Sequence, residues 1–561
     1  STRREWDGDK FTEERRFEDY AADGSRIEYV VTESHDCGVV TNSVSTYDLL
    51  GRLVSVSRPG ANGAWGETRS FYDGVSSRLV RTETDGEPDV TYGYDELGDR
   101  ISTAQNGIVN RVVTSYETVS GEVWRVRTTT RIAPGADDAV SSERVQLTGL
   151  SDALRSRKVS IAASGKVTRT ESSFDAADNI VTTVVSADGV GTEFSRSSCG
   201  LLLSASTIDG SESRAYDAFG RVATVSSFAV GADAPRARQS FAYDASGNLV
   251  ETDSDYGAEG TATASSAFDA LGREVSSTDQ SARTVETGYD GMGRTVSVGG
   301  DTHPLMFGYD SAGRKTQGLT TRDGGETPDA TTWIYDPLSG LNMFKRYADG
   351  SQISYAYTDN GRRTRTTWAR GVWKENAYDA ANRISGVTYS AGTPGVAYSY
   401  TGAGKVSEAA VANGAQTVYG YDGRLLCTNV SVSVGADRVD VVRTYDDRSR
   451  CDFVAVEVTN VAHAVKTRRF DAYGRVVGYG ITNACGRGMT ASLQYTGSRV
   501  DGITYTLPNG GTFTSSFTRS PSRPDLVTRR DYRFGTGSIY WYETGYDLAG
   551  RPTNAVDSVS L

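Results

Sequence analysis

One short phrase governs what this chain can fold into: an aromatic residue, Asp, two free positions, Gly, Arg. It stands as Tyr47-Asp48-Leu49-Leu50-Gly51-Arg52, Tyr216-Asp217-Ala218-Phe219-Gly220-Arg221 and Phe268-Asp269-Ala270-Leu271-Gly272-Arg273. It returns at Tyr289–Arg294, Tyr309–Arg314, Phe470–Arg475 and Tyr546–Arg551. Self-similarity at a spacing of a few tens of residues marks a repeat architecture, in which each unit buries a face only against its neighbours. The Asp positions 217, 244, 269, 290 and 310 lie 27, 25, 21 and 20 residues apart, so connecting loops vary while the unit persists.

The phrase has a mechanical reading. Asp-x-x-Gly matches a type I turn, with Asp favoured first and Gly fourth. The Asp side chain accepts from amides inside the turn, and Gly takes the positive φ of a hairpin bulge. Where Gly is missing, Asp175-Ala176-Ala177 is followed by Asp178 and Asp379-Ala380-Ala381 by Asn382. Asp and Asn tolerate left-handed backbone better than other non-glycine residues, so both are expected in that conformation. Alternating stretches such as Leu53-Val54-Ser55-Val56 and Val222-Ala223-Thr224-Val225 follow the turns and read as half-buried strands. Each unit is one hairpin. The fold class is therefore all-β, a continuous array of antiparallel hairpins over residues 46–561. Residues 1–45 lack the phrase and are expected to be an irregular lead-in segment, and 500–541, with Pro508, Pro521 and Pro524, an irregular insertion.

Composition excludes several functions. A net charge of −12 opposes generic nucleic-acid binding. No apolar run reaches the ~18 residues of a membrane span. The five cysteines (Cys37, Cys199, Cys427, Cys451, Cys485) are scattered and form no Cys-x-x-Cys, so no metal and no cofactor is expected. Cys427 and Cys451 read as buried free thiols. Only 8 of the 59 basic residues are Lys. Arg forks onto carboxylates and stacks on aromatic rings, so with an Asp and a Tyr in each turn, structural Arg–Asp and Arg–Tyr contacts are the first explanation.

Tyr-Asp-x-x-Gly-Arg at this period resembles the YD repeat of the RHS family, found in bacterial polymorphic toxins, the cocoon of Tc toxin complexes and animal teneurins. The resemblance covers roughly residues 45 to 555. It implies hairpins that form one long sheet spiralling into a hollow shell, and in toxin members a shell that encloses a C-terminal effector released after self-cleavage. It also implies a secreted or cell-surface protein whose partners are the remainder of a larger RHS protein or its cargo. The chain begins and stops inside the pattern and is expected to be a segment of such a protein. The family's cleavage-associated Asp-Pro motif is not found near residue 561. Asp336-Pro337-Leu338-Ser339-Gly340 resembles it only superficially and reads as a turn variant.

The densest anomaly in the array is residues 333–374, with Trp333, Tyr335, Phe344, Lys345, Arg346, Tyr347, Tyr355 and Tyr357 ahead of Arg362-Arg363-Thr364-Arg365-Thr366-Thr367-Trp368-Ala369-Arg370-Gly371-Val372-Trp373-Lys374. A two-residue turn at Arg370-Gly371 would make Trp368 and Trp373 cross-strand neighbours, with Arg363, Arg365 and Lys374 on the opposite face. The plain reading is sheet core and solvated charge. The sharper one is a groove for an acidic polysaccharide, bound by Trp333, Arg346, Tyr347, Arg363, Arg365 and Trp368. In a metal-independent lyase Arg would neutralise the uronate carboxylate, while His303 or Tyr355 would move the proton. Two function classes thus stand: a scaffold that encloses or presents cargo, and a binding protein or lyase for anionic polysaccharide.

Overall fold

The computed structural model describes the chain except for residues 1, 8–9, 35–38, 61–63, 149–153, 188–189, 198, 322–327, 391, 460, 484 and 559–561. The described residues form 47 strands of one antiparallel sheet, with a single 3-10 turn at Gly257–Glu259 and no α-helix. Successive strands pair as hairpins, for example Thr284–Tyr289 with Thr295–Gly300 and Leu305–Tyr309 with Lys315–Thr320.

Sequence and structure differ at both places where the phrase is absent. The sequence predicts an irregular segment over residues 1–45, yet Lys10–Tyr20, Arg26–Ser34 and Val39–Tyr47 pair residue for residue. The stretch 500–541 likewise carries regular strands at Arg499–Thr506, Thr512–Arg519, Val527–Phe534 and Gly537–Tyr546. Its prolines fall between strands, Pro508 after Thr506 and Pro521 and Pro524 after Arg519, where no ladder donor is lost.

Each phrase folds as its residues dictate. In Asp290–Arg294 the Gly293 amide donates to the Asp290 carbonyl at 3.0 Å, and the Asp290 amide to the Arg294 carbonyl at 3.0 Å. Asp290 Oδ1 accepts the amides of Met292 and Arg294 at 3.0 and 2.9 Å. The register shifts at Gly288/Tyr289, so the turn is a type I turn closed by a bulge, with Gly293 at φ 81°. Asn382 takes the same slot at φ 59°. Asp178 does not: the left-handed residue is Asn179, at φ 58°, because this loop closes on the Asp175–Ile180 pair without a bulge. At Asp336 the turn widens by one residue, with the Asp336 amide donating to the Leu341 carbonyl at 2.8 Å.

The turns are coupled to one another. The Asp carboxylate that organises the turn also takes the Nε of its own Arg, at 2.7 Å in Asp48–Arg52, Asp217–Arg221, Asp290–Arg294 and Asp471–Arg475. That guanidinium lies over the aromatic ring of the next phrase or variant: Arg52 over Tyr72 at 4.8 Å, Arg221 over Tyr243 at 4.4 Å, Arg294 over Tyr309 at 4.8 Å, Arg383 over Tyr400 at 4.2 Å. The hydroxyl of that tyrosine then donates back to the first strand residue after the preceding turn. Tyr243 reaches the Val222 carbonyl, Tyr309 that of Thr295 and Tyr400 that of Ile384, at 2.7 to 2.8 Å. Asp, Arg and Tyr thus tie each hairpin to the next. This linkage adds to a thin apolar core, since the buried apolar residues among those described are Ala and Val, such as Ala262, Ala403, Val126 and Val387.

Gly293 shows what the turn slot costs. A Cβ there would meet nothing within 4 Å, so only backbone strain opposes a side chain. Gly293→Val is expected to lower stability by about 1–3 kcal/mol, seen as a reduced urea midpoint; an unchanged midpoint would reject the assignment.

The chain divides into two compact units: Ser1–Arg111 with Arg131–Asp137 and Val285–Val418, and Val112–Thr130 with Asp138–Thr284 and Tyr419–Leu561. Within each unit, loops on the edge opposite the phrase turns of the earlier stretch meet phrase turns of the later stretch. In the first, Glu87 accepts from Arg362 at 3.0 Å, and Cβ atoms added at Gly60 and Gly86 would strike Asp359 and Asn360. In the second, Asp209 accepts from the Ser498 amide at 2.7 Å and from Arg499 at 3.3 Å. Glu259 takes Arg523 Nε at 2.8 Å, Ser522 Oγ at 2.5 Å and the Ser520 hydroxyl. The hydrogen-bonded partners are 261 to 290 residues apart.

Some of these carboxylates titrate low, Asp217, Asp269 and Asp290 in the turns and Asp209 and Glu259 in the seam. Hydrogen bonds from the Arg273 side chain and amide hold Asp269 below the usual range. Burial pushes Glu259 up, but the hydrogen bonds of Ser520, Ser522 and Arg523 outweigh it. A carboxylate titrating lower folded than unfolded stabilises fully above the unfolded value, roughly pH 4, and loses that contribution as pH falls through the folded value. The urea midpoint should hold from neutrality to about pH 5 and decline below about pH 4. A midpoint that rises on acidification would contradict these assignments.

Candidate functional site

The aromatic and basic cluster of residues 333–374 spans four hairpin strands, Asp329–Tyr335, Asn342–Arg346, Gln352–Tyr357 and Arg363–Thr367, followed by Trp373–Tyr378. The turn expected at Arg370-Gly371 is wider than two residues. The Trp368 amide donates to the Val372 carbonyl at 2.8 Å and the Gly371 amide to the Trp368 carbonyl at 2.9 Å. Trp368 therefore occupies the slot that Asp holds in the phrase, and Trp373 pairs with Thr367 instead. The two indoles are not cross-strand neighbours.

The basic row is divided as well. Arg365 lies opposite Ala356 and Tyr357 opposite Arg363, with the bulge between. Arg363 covers the Tyr355 ring at 4.4 Å, whereas Arg365 covers Trp373 at 4.3 Å. Since Tyr355 and Ala356 are consecutive strand residues, Arg363 and Arg365 stand on opposite faces. Lys374 pairs with Thr366, not with Arg365, whose partner there is Glu375. Trp333 pairs with Lys345, whose ammonium lies 5.8 Å from the Trp333 ring and 4.8 Å from Tyr347. Arg346 pairs with Thr332 and Gln352, on the face away from Trp333.

The structure thus gathers Trp333, Lys345, Tyr355 and Arg363 on one face and sends Arg346 and Arg365 to the other. Tyr347 and Trp368 head turns on the edge opposite the phrase turns, and His303 is exposed in the loop between Thr295–Gly300 and Leu305–Tyr309. Most of these cations already stack on rings of the sheet itself. Among the described residues no three His, Cys, Asp or Glu side chains gather as metal ligands. Cys427 and Cys451 are free and partly buried, and Cys199 and Cys485 are free and exposed. Cys37 lies outside the described residues.

A second aromatic feature went unseen in the sequence. Tyr479, Tyr505, Phe513, Tyr532 and Tyr540 form a row across the strands from Val476–Asn483 to Gly537–Tyr546, with successive centroids 6.3, 5.8, 6.1 and 5.8 Å apart. Burial, with the Tyr505 hydrogen bond, pushes the Tyr479 phenol up to about 12. Tyr479 meets Tyr505 edge-on at 73°, Tyr505 and Phe513 are tilted at 42°, and Phe513, Tyr532 and Tyr540 are stacked at 17° and 27°.

The fold is similar to that of a crystallised TcdB2-TccC3 chain without its hypervariable C-terminal region, with a TM-score of 0.55 and 12% identity over 96% of this chain. A crystallised TcdB2-TccC3-TEV chain gives a TM-score of 0.53 and 12% identity over 95% of this chain. The chain spans about a third, 34%, of the length of each. No protein-family profile matches the sequence, and no curated protein does. The fold is RHS-like. No helix among the described residues is long and apolar enough to cross a membrane.

Proposed function

We propose that this chain is a length of β-shell wall, a structural scaffold within a larger secreted or cell-surface RHS protein that encloses or presents cargo. The supporting observation is the use made of the repeated chemistry. The Asp, Arg and Tyr of each phrase satisfy one another and the neighbouring hairpin, which leaves the most abundant reactive-looking groups occupied with holding the wall. The similarity to TcdB2-TccC3 chains supports the same reading.

The reading as a lyase or binding protein for uronate-containing polysaccharide has less support, since Arg363 and Arg365 face opposite ways. The purified chain, mixed with a panel of acidic polysaccharides, is expected to yield no ultraviolet-absorbing unsaturated uronate. Sustained turnover, abolished by Tyr355→Phe, would overturn the scaffold reading. Enclosure is tested separately with an unfolded polypeptide fused to the chain: protease resistance of the fusion supports enclosure, and prompt digestion beside an intact array leaves presentation.

A further inference from the structure

One turn of the second unit keeps the backbone of the phrase but lacks its carboxylate. In Ala162–Lys166 the Ala162 amide donates to the Lys166 carbonyl at 2.9 Å and the Gly165 amide to the Ala162 carbonyl at 2.9 Å, with Gly165 at φ 80°. In Asp290–Arg294 the Asp carboxylate accepts the third and fifth amides of the turn and the cation of its fifth residue. Elsewhere other side chains stand in. Asn483 accepts the Cys485 and Arg487 amides at 3.1 and 3.0 Å, and Thr401 the Lys405 amide at 3.2 Å. Ala162 has only a methyl group to offer. The Ser164 and Lys166 amides therefore have no side-chain acceptor among the described residues, while Lys166 keeps a cation at the fifth position.

A cavity of about 340 Å³ opens beside this turn, and Ala162 lines it, so the place of the missing carboxylate is open to it. Its other walls include Arg127, Thr129, Ser141, Ser160, Lys166 and Thr168. Ser160 pairs with Glu143 on one side and Thr168 on the other, which puts their side chains on one face. The carboxylate of the lining, Glu143, is taken by Lys158 Nζ at 2.5 Å. Arg127 and Lys166 are exposed and have no ion-pair partner among the described residues. The turn is braced by the later stretch: a Cβ at Gly165 would lie 3.3 Å from the Asp447 carbonyl oxygen.

We propose that a phosphate or sulfate group binds in the place of the missing carboxylate. One oxygen accepts the Ser164 and Lys166 amides, as Asp290 accepts those of Met292 and Arg294. Lys166 and Arg127 balance the charge, and the strand hydroxyls donate to the remaining oxygens. Donors come from the turn and from the strands, which suits a tetrahedral anion better than a planar carboxylate.

Calorimetric titration of the chain with inorganic phosphate, sulfate and acetate at constant ionic strength tests this. Phosphate or sulfate is expected to bind saturably, and acetate about tenfold more weakly or less still. Ala162→Asn supplies an acceptor without adding charge, in the manner of Asn483. It should raise the thermal midpoint in chloride and weaken the anion about tenfold or more, the scale of a lost charged hydrogen bond. Arg127→Gln/Lys166→Gln should weaken binding as much without raising the midpoint. The proposal fails if neither tetrahedral anion binds saturably, if acetate binds as tightly, or if binding survives Ala162→Asn or the double substitution.

Discussion

Arg314→Ala is expected to cost about 3–5 kcal/mol, the range for stripping the partner from a buried charge. The Asp310 side chain is 3% exposed. Its carboxylate takes the Arg314 amide at 2.8 Å and Arg314 Nε at 2.7 Å, and the guanidinium lies 4.6 Å from the Tyr335 ring. Truncation leaves the carboxylate enclosed with its counter-charge gone and uncovers the ring. Arg314→Lys keeps the charge without the fork or the flat stack and should fall between. Urea unfolding of the three proteins checks the order. A loss under about 1 kcal/mol for the alanine variant would place this pair among ordinary surface ion pairs.

Phe513→Ala should rank close behind, at about 2–4 kcal/mol, from lost burial and two lost ring contacts. Phe513 is the middle of the aromatic row, 5.8 Å from Tyr505 and 6.1 Å from Tyr532. Phe513→Leu retains apolar volume and isolates the ring contribution. If the leucine variant were as unstable as the alanine variant, the row would owe its stability to ring geometry rather than to burial. If neither variant changed the unfolding midpoint, the row would be surface ornament on an otherwise self-sufficient ladder.

The hairpin unit was legible because its signal is local. Asp, Gly and Arg within six residues determine a turn, a bulge and a capped carboxylate, and the slot at Asn382 obeys the same rule. Asp175 misled because its loop closes without the bulge, which moves the left-handed residue to Asn179. The turn within 333–374 escaped the sequence for a related reason. With Trp368 in the Asp slot, the turn is disguised. Strand side chains alternate, so a one-residue difference in register sends a residue to the other face, and the bulge separates Arg363 from Arg365. The seam left no trace in the sequence, because its partners are more than 260 residues apart and each looks like any exposed acid or Arg.

The central claim is that the repeated phrase is a mechanical coupling between hairpins. A double-mutant cycle between Arg294 and Tyr309 measures it most directly, since the guanidinium lies 4.8 Å from the ring and the phenol donates to the Thr295 carbonyl. Arg294→Ala, Tyr309→Leu and the double variant would be compared with the parent chain by urea unfolding. The predicted interaction energy is favourable, about 0.5–2 kcal/mol. Strict additivity of the two substitutions would contradict it.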